Sequence, residues 1–369
     1  MVAMSFPDGL LASSDLADLA PKVLAGERLS AAEGARLLAT RHLAALGYLA
    51  HQVRLRKNGR RAYYTVNVHL NHTNICANRC RFCAFSRSEG EPGAYLLSVE
   101  ECVRRVRAAG LVDEVHVVGG CHPGLGLSYF RELLAALREA APGARLQALT
   151  AVEVEHLARR EGRSVEQVLA ELQEAGLEAL PGGGAEVFSP RVRGLLCPEK
   201  LPGQGWQEVM RTAHRLGIAS NATMLYGHLE TPQEAAEHLV ALRELQDETG
   251  GFLAFVPLAF HPEHTALAGR RGPGGVEDLR VTATARIMLD NFPHLKAFWV
   301  MLGERLAQVA LSFGADDLDG TVGEEQITHA AGASTPVGLA EAELVRLIRA
   351  AGWEPVRRDT LYRPAGGGA

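Results

Sequence analysis

The segment NHTNICANRCRFCAFSR carries three cysteines, Cys76, Cys80 and Cys83, separated by three and then by two residues. It directly follows an apolar strand-like run and its spacing fits no helix face, so it reads as a loop. Three thiolates on one loop can each bind one iron of a 4Fe-4S cubane and leave the fourth iron without a protein ligand, whereas electron-transfer clusters take four cysteines. An open iron can bind a substrate. On spacing alone, a zinc site completed by a residue such as His72 and three unconnected thiols are the alternatives. The other cysteines read as inert: Cys102 falls on a helix, Cys197 precedes a proline, and Cys121 breaks the compact spacing.

Further candidates gather where strand-like runs end. Gly119 and Gly120 would let the backbone approach a ligand. In PGGGAEVF, three glycines make room beside Glu186, whose carboxylate could accept hydrogen bonds from a ribose; Arg193, just downstream, could pair with a carboxylate. In SNATMLYGHLET, Tyr226, His228 and Glu230 stand at alternate positions, which on a strand share one side; the expectation is a polar row that holds an oxygen-rich substrate or moves a proton. His72 and His261 are further candidates. The cations nearest the cluster loop are Arg79, Arg81 and Arg87.

The elements that must position these groups alternate along the chain. Strand candidates are 63–73, 114–120, 145–154, 177–183, 218–227, 251–260 and 295–303, with a weaker eighth at 316–321, and amphipathic segments lie between them. Repeated strand–helix units with continuously apolar strands imply a parallel sheet covered by helices. Seven or eight such units predict an α/β fold of the (β/α) TIM-barrel type, whose catalytic groups collect at the carboxyl ends of the strands. On this reading Thr150 and Glu153 fall late in the third strand. Residues 1–60 form an N-terminal helical cover, with Ser30 as an N-cap, 61–310 the barrel core, and 311–369 a closing segment with a frayed GGGA end. The Gly/Pro-rich stretch 268–277 reads as a mobile loop.

The chain has 369 residues, of which 47% are hydrophobic and 22% charged, with a net charge of −5. It can bury a large core, and it has no basic field for nucleic acid. The N-terminal stretch lacks a secretory pattern and no apolar run spans a bilayer, so a cytoplasmic, membrane-free enzyme with small-molecule partners is expected.

The CxxxCxxC run, with Phe82 before its last cysteine, resembles the signature of radical S-adenosylmethionine (SAM) enzymes. The resemblance implies a 4Fe-4S cluster on Cys76, Cys80 and Cys83 whose open iron chelates the methionyl group, so that one electron cleaves the C5'–S bond to a 5'-deoxyadenosyl radical. It also implies that Gly119 and Gly120 accept the methionyl amino group through their carbonyls; Phe82, Glu186 and Arg193 are the further residues expected on the cofactor side. The runs EVHVVGGCHP, ALTAVEVEHLAR, LPGGGAEVF, RTAHRLGIASNATMLYGHLETP, LRELQDETGGFLAFVPLAFHPEHT, DNFPHLKAFWVMLG and FGADDLDGTVGEEQITHAAGA are similar to one family, aminofutalosine synthase, over most of residues 63–333. That similarity implies addition of the adenosyl radical to 3-[(1-carboxyvinyl)oxy]benzoate, then rearrangement and decarboxylation to 6-amino-6-deoxyfutalosine in menaquinone biosynthesis. SAM would be consumed, and flavodoxin or ferredoxin would supply electrons. The related cyclase of the same route and the deazaflavin synthase subunit carry Ser-Pro where this chain has LTAVEVEHLAR, and the deazaflavin enzyme has Gln in place of Val118.

Overall fold

A computed structural model describes residues 6–323 and 325–365. The strands are β1 (Arg61–Thr65), β2 (Asn67–Leu70), β3 (Glu114–Val117), β4 (Arg145–Ala148), β5 (Ala179–Leu180), β6 (Ala219–Tyr226), β7 (Phe252–Ala259), β8 (His294–Leu295), β9 (Asp317–Gly320) and β10 (Glu354–Arg357). All pair in parallel, in the orders β2-β3-β4-β5-β6-β7-β8 and β10-β1-β9.

The two sheets are parts of one ring. β1 and β2 are separated only by Val66. β9 bridges β8 through Asp316 N–H to Leu295 O (3.0 Å) and Ala297 N–H to Asp317 O (2.7 Å). On its other side it meets the β1–β2 strand, with Thr321 N–H donating to Thr65 O (3.2 Å) and His69 N–H to Val322 O (2.8 Å). β9 therefore closes the sheet into the expected barrel, with helices between most successive strands. β10 lies outside the ring on β1; its sequence, EPVR, holds a proline, which an edge strand tolerates.

Among the described residues four helices precede β1: Phe6–Ala12, Ala20–Ala25, Ala31–Ala39 and Leu43–Asn58. The third opens on a capping box at Ser30 and Glu33. The third and fourth pack on helix Gly275–Met288, where Gly34 and Gly47 admit Met288 and the Phe313 ring. Arg54 fastens this layer to the barrel, donating to Ala315 O, Gly59 O and Arg61 O beneath the Trp353 ring. No helix among the described residues is long and apolar enough to cross a membrane.

Several expected strands are shorter than their apolar runs. The 145–154 run leaves the sheet at Ala148, because Thr150 and Glu153 form a capping box that starts helix Ala151–Glu161; T-x-x-E there is a helix start. The 295–303 run keeps only Leu295 in β8 before helix Trp299–Leu302. The 268–277 stretch leads into helix Gly275–Met288, and Pro273 sits against Gly227. The GGGA end lies outside the described residues.

Candidate active site

At the carboxyl ends of the strands a cavity of about 310 Å³ runs down into the barrel lumen, within the ~300–1,000 Å³ range of ligand pockets. Cys76, Cys80 and Cys83 are half-buried free thiols and all line its upper part, with Phe82, Gly119 and Gly120. The cysteine loop is pinned to the loop after β3: Gly120 N–H donates to Thr73 O and Ala77 N–H to Cys121 O, both at 2.9 Å. A Cβ on Gly120 would lie 2.2 Å from Ile75 O, and one on Gly119 2.5 Å from His72 Cε1. Only glycine permits that approach.

Each of two triplet cysteines has a second thiol beside it. Cys121 N–H reaches Cys76 Sγ at 3.4 Å, and a hydrogen bond from the Cys121 thiol brings the Cys76 pKa down to about 6. Cys197 sits against Cys80. Cys121 thus borders the cavity, whereas Cys197 is buried behind it and Cys102 is in the core.

Glu186 lies on the opposite wall with a left-handed backbone (φ 50°), a strained conformation that gathers at functional sites. Its carboxylate accepts from Lys200 Nζ at 2.5 Å. Burial pushes the Glu186 pKa up, but the ammonium more than offsets this and keeps the group below its usual range. Lys200 Nζ also stands 5.4 Å from the Phe82 ring centre, so it links the cysteine loop to Glu186. Nothing in CPEK marks this lysine in the sequence, where it resembles a solvated loop charge. Glu153, also on the cavity wall, accepts from Gly119 N–H at 3.1 Å and from Thr150 N–H at 2.7 Å; burial raises its pKa to about 7. It fixes the glycine turn relative to β4.

Most of the other expected site residues do not reach the cavity. The alternation of Tyr226, His228 and Glu230 breaks at Gly227 (φ 84°), where β6 has already ended. Tyr226 turns outward and donates to Asp278 Oδ1 at 2.7 Å. Glu230 instead fastens the corner, accepting from His228 N–H at 3.0 Å and lying 2.8 Å from His228 Nδ1. His228 Nε2 is 2.9 Å from Leu225 O. His72 is wholly buried, its ring packed against Tyr129 and Phe130, and it does not line the cavity. Arg193 spends its guanidinium on Ala185 O (2.6 Å) and Leu201 O. Arg87 caps carbonyls of its own loop. His261 does line the cavity.

The lower cavity is lined by strand interiors rather than strand ends. His69, His116 and Gln147 are register partners on β2, β3 and β4 and form one inward layer. Asn221, Lys296 and Asp319 face the same space. Barrel lumens are usually filled by branched apolar side chains, so this polar layer is a feature that attention to strand ends missed.

The chain matches the Radical SAM superfamily over residues 70–242 and the CofH/MqnC C-terminal region over 249–366. It is 47% identical to an aminodeoxyfutalosine synthase of Thermus thermophilus, over 94% of this chain and 95% of that protein. It is 42% identical to a 5-amino-6-(D-ribitylamino)uracil–L-tyrosine 4-hydroxyphenyl transferase of Methanopyrus kandleri, over 85% and 87%. In fold it is similar to the FeFe-hydrogenase maturase HydG of Carboxydothermus hydrogenoformans (TM-score 0.72, 20% identity, 95% of this chain and 81% of that one). Methylornithine synthase PylB is similar too (TM-score 0.72, 19% identity, 92% and 97%). The chain belongs to the radical SAM enzymes, in the branch that holds the aminodeoxyfutalosine synthases and these hydroxyphenyl transferases.

Proposed function

We propose that this enzyme is an aminodeoxyfutalosine synthase, joining the adenosyl group of SAM to 3-[(1-carboxyvinyl)oxy]benzoate with loss of one carboxylate to give 6-amino-6-deoxyfutalosine. The observation that carries the reading is the 47% identity with the Thermus synthase along nearly the whole chain. Two positions that separate the related activities, Val118 and the start of the 150–153 segment, line the cavity, where a substrate would meet them.

The residues fit a cluster and SAM. Three free thiols open to one end of the cavity, and the turn at Gly120 leaves no space for a side chain. Cys76, Cys80 and Cys83 would hold the cluster, which when bound supplies the electron that cleaves the C5'–S bond. Gly119 and Gly120 offer backbone groups to the methionyl amine. Glu186, kept ionised by Lys200, accepts from the ribose hydroxyls. With the Arg193 fork spent on carbonyls, Lys200 is the cation that faces the methionyl carboxylate, since its ammonium has three donors and Glu186 takes one. Val256, Leu258, Phe260 and Phe298 form an apolar wall that keeps water from a reactive carbon centre. Electrons come from a small flavodoxin or ferredoxin.

The test is anaerobic reconstitution followed by reaction with carboxyvinyloxybenzoate and, separately, with L-tyrosine plus 5-amino-6-(D-ribitylamino)uracil, with products read by mass spectrometry. An adenine-containing, decarboxylated adduct from the first mixture supports the proposal. Product from the second mixture alone moves the enzyme to the transferases.

A further inference from the structure

The polar layer deep in the lumen is unused by the cluster and SAM. Lys296 and Asp319 are 3% and 7% exposed, with Nζ 3.3 Å from Oδ1. Asp319 is the ammonium's one hydrogen-bond partner among the described residues, so two of three N–H donors point into the cavity unspent. Asp319 has a left-handed backbone (φ 70°) within β9, a strained conformation of the kind that gathers at functional sites. His69, 7% exposed, also faces the cavity, and its Nε2 has no partner among the described residues. Its ring stacks on His116 with centroids 4.3 Å apart and is flanked by Phe298. Unspent donors this deep are costly unless a ligand acceptor meets them.

We propose that Lys296 and His69 bind the carboxylate of the benzoate ring, the end of the substrate remote from the cluster. The assignment rests on the proposed reaction for the identity of the substrate and goes beyond it in naming the recognition residues. The cluster thiols and Gly119 lie at the opposite end of the same cavity, so bond formation at the vinyl carbon near that end sends the arene toward the lumen. Phe298, Leu258 and Val118 line the intervening space and suit an aromatic ring.

The local charges permit an anion there. Asp319 is neutralised by Lys296, Glu325 is paired with His329 at 3.0 Å, and Glu114, 3.9 Å from His116 Nδ1, accepts hydrogen bonds from Asn67 and Thr360. Burial, with His116 alongside, lowers the His69 pKa to about 3; the ring is a neutral donor, and the incoming carboxylate meets one cation whose counter-charge is already placed.

Binding of 3-hydroxybenzoate and 3-hydroxybenzamide to the anaerobically reconstituted enzyme tests this by calorimetry. The wild type should bind the acid at least about tenfold more tightly than the amide, the ratio for losing one charged hydrogen-bond pair. Lys296→Met should bring the two within about twofold, while the exposed control Lys22→Met keeps the preference. Equal binding of acid and amide by the wild type, or a preference that survives in Lys296→Met, would overturn the assignment. If Lys296→Met does not fold, His69→Leu, which removes the other donor, should narrow the preference instead, and an unchanged preference there would overturn the assignment. Because binding is read without turnover, an enzyme that prefers the acid yet makes only the tyrosine-derived product keeps the lumen assignment and loses the proposed function.

Discussion

Gly120→Ala should detach the cluster loop from its support. The added Cβ would lie 2.2 Å from Ile75 O, 2.7 Å from Ile75 C and 3.0 Å from Cys76 Cβ. The first contact must open by about 1 Å to reach ordinary van der Waals separation. None of these atoms is the far end of a flexible side chain. Gly120 is itself tied to Thr73 O, so the strain falls on the segment that presents Cys76. Overpacking of this kind costs about 1–3 kcal/mol, and a movement of that size misplaces a thiolate that must meet an iron at bonding distance. The assay is iron and sulfide per chain after anaerobic reconstitution, beside the thermal midpoint. Gly143→Ala, which meets nothing within 4 Å, is the control. The variant should hold well under half the iron of wild type while the control matches it. Wild-type iron and stability in Gly120→Ala would show that the cysteine loop does not depend on this contact.

Cys80→Ala should abolish both colour and SAM cleavage under dithionite, while Cys102→Ala, in the core under Tyr129, should keep both; absorbance and product chromatography check this. Tyr226→Phe leaves Asp278 without its 2.7 Å partner and should cost about 1–3 kcal/mol of stability in denaturant unfolding, with kcat near wild type because the hydroxyl points away from the cavity. The Glu325 hydrogen bond raises the His329 pKa from 6.5 to about 9. A group protonated more tightly when folded stabilises fully below its unfolded pKa and loses that contribution as pH rises through the folded one. The segment Glu325–Ala331 bordering the cavity should therefore loosen between about pH 6.5 and 9, seen as faster hydrogen exchange after correction for the intrinsic rate, and His329→Gln should flatten that dependence.

Much of the upper site was legible because its chemistry is local. The thiol triplet, the Gly119–Gly120 turn and the glycines before Glu186 are contiguous in the chain and need only a strand end to present them. The lumen was not. NVHL, EVHV and RLQA alternate polar and apolar residues, a pattern that elsewhere marks a solvated sheet face. In a closed parallel barrel both faces are covered, so the polar set must point inward; alternation within strands already assigned to a barrel was the available signal. Tyr226 was misplaced by carrying strand periodicity across Gly227, whose positive φ ends it. Thr150 and Glu153 were read as strand because apolar content outweighed the capping pattern. Lys200 had no local signal, since its role depends on Glu186 and Phe82 arriving from other elements.

The central claim is that this cavity joins the adenosyl group to the substrate rather than using it only to abstract hydrogen. SAM carrying isotopic carbon in the adenosyl ribose, incubated with reconstituted enzyme, reductant and carboxyvinyloxybenzoate, measures this directly. The account predicts that the label enters the decarboxylated adduct, one equivalent per SAM consumed, with little free 5'-deoxyadenosine. Label recovered almost entirely as 5'-deoxyadenosine, with unlabelled product, would contradict it.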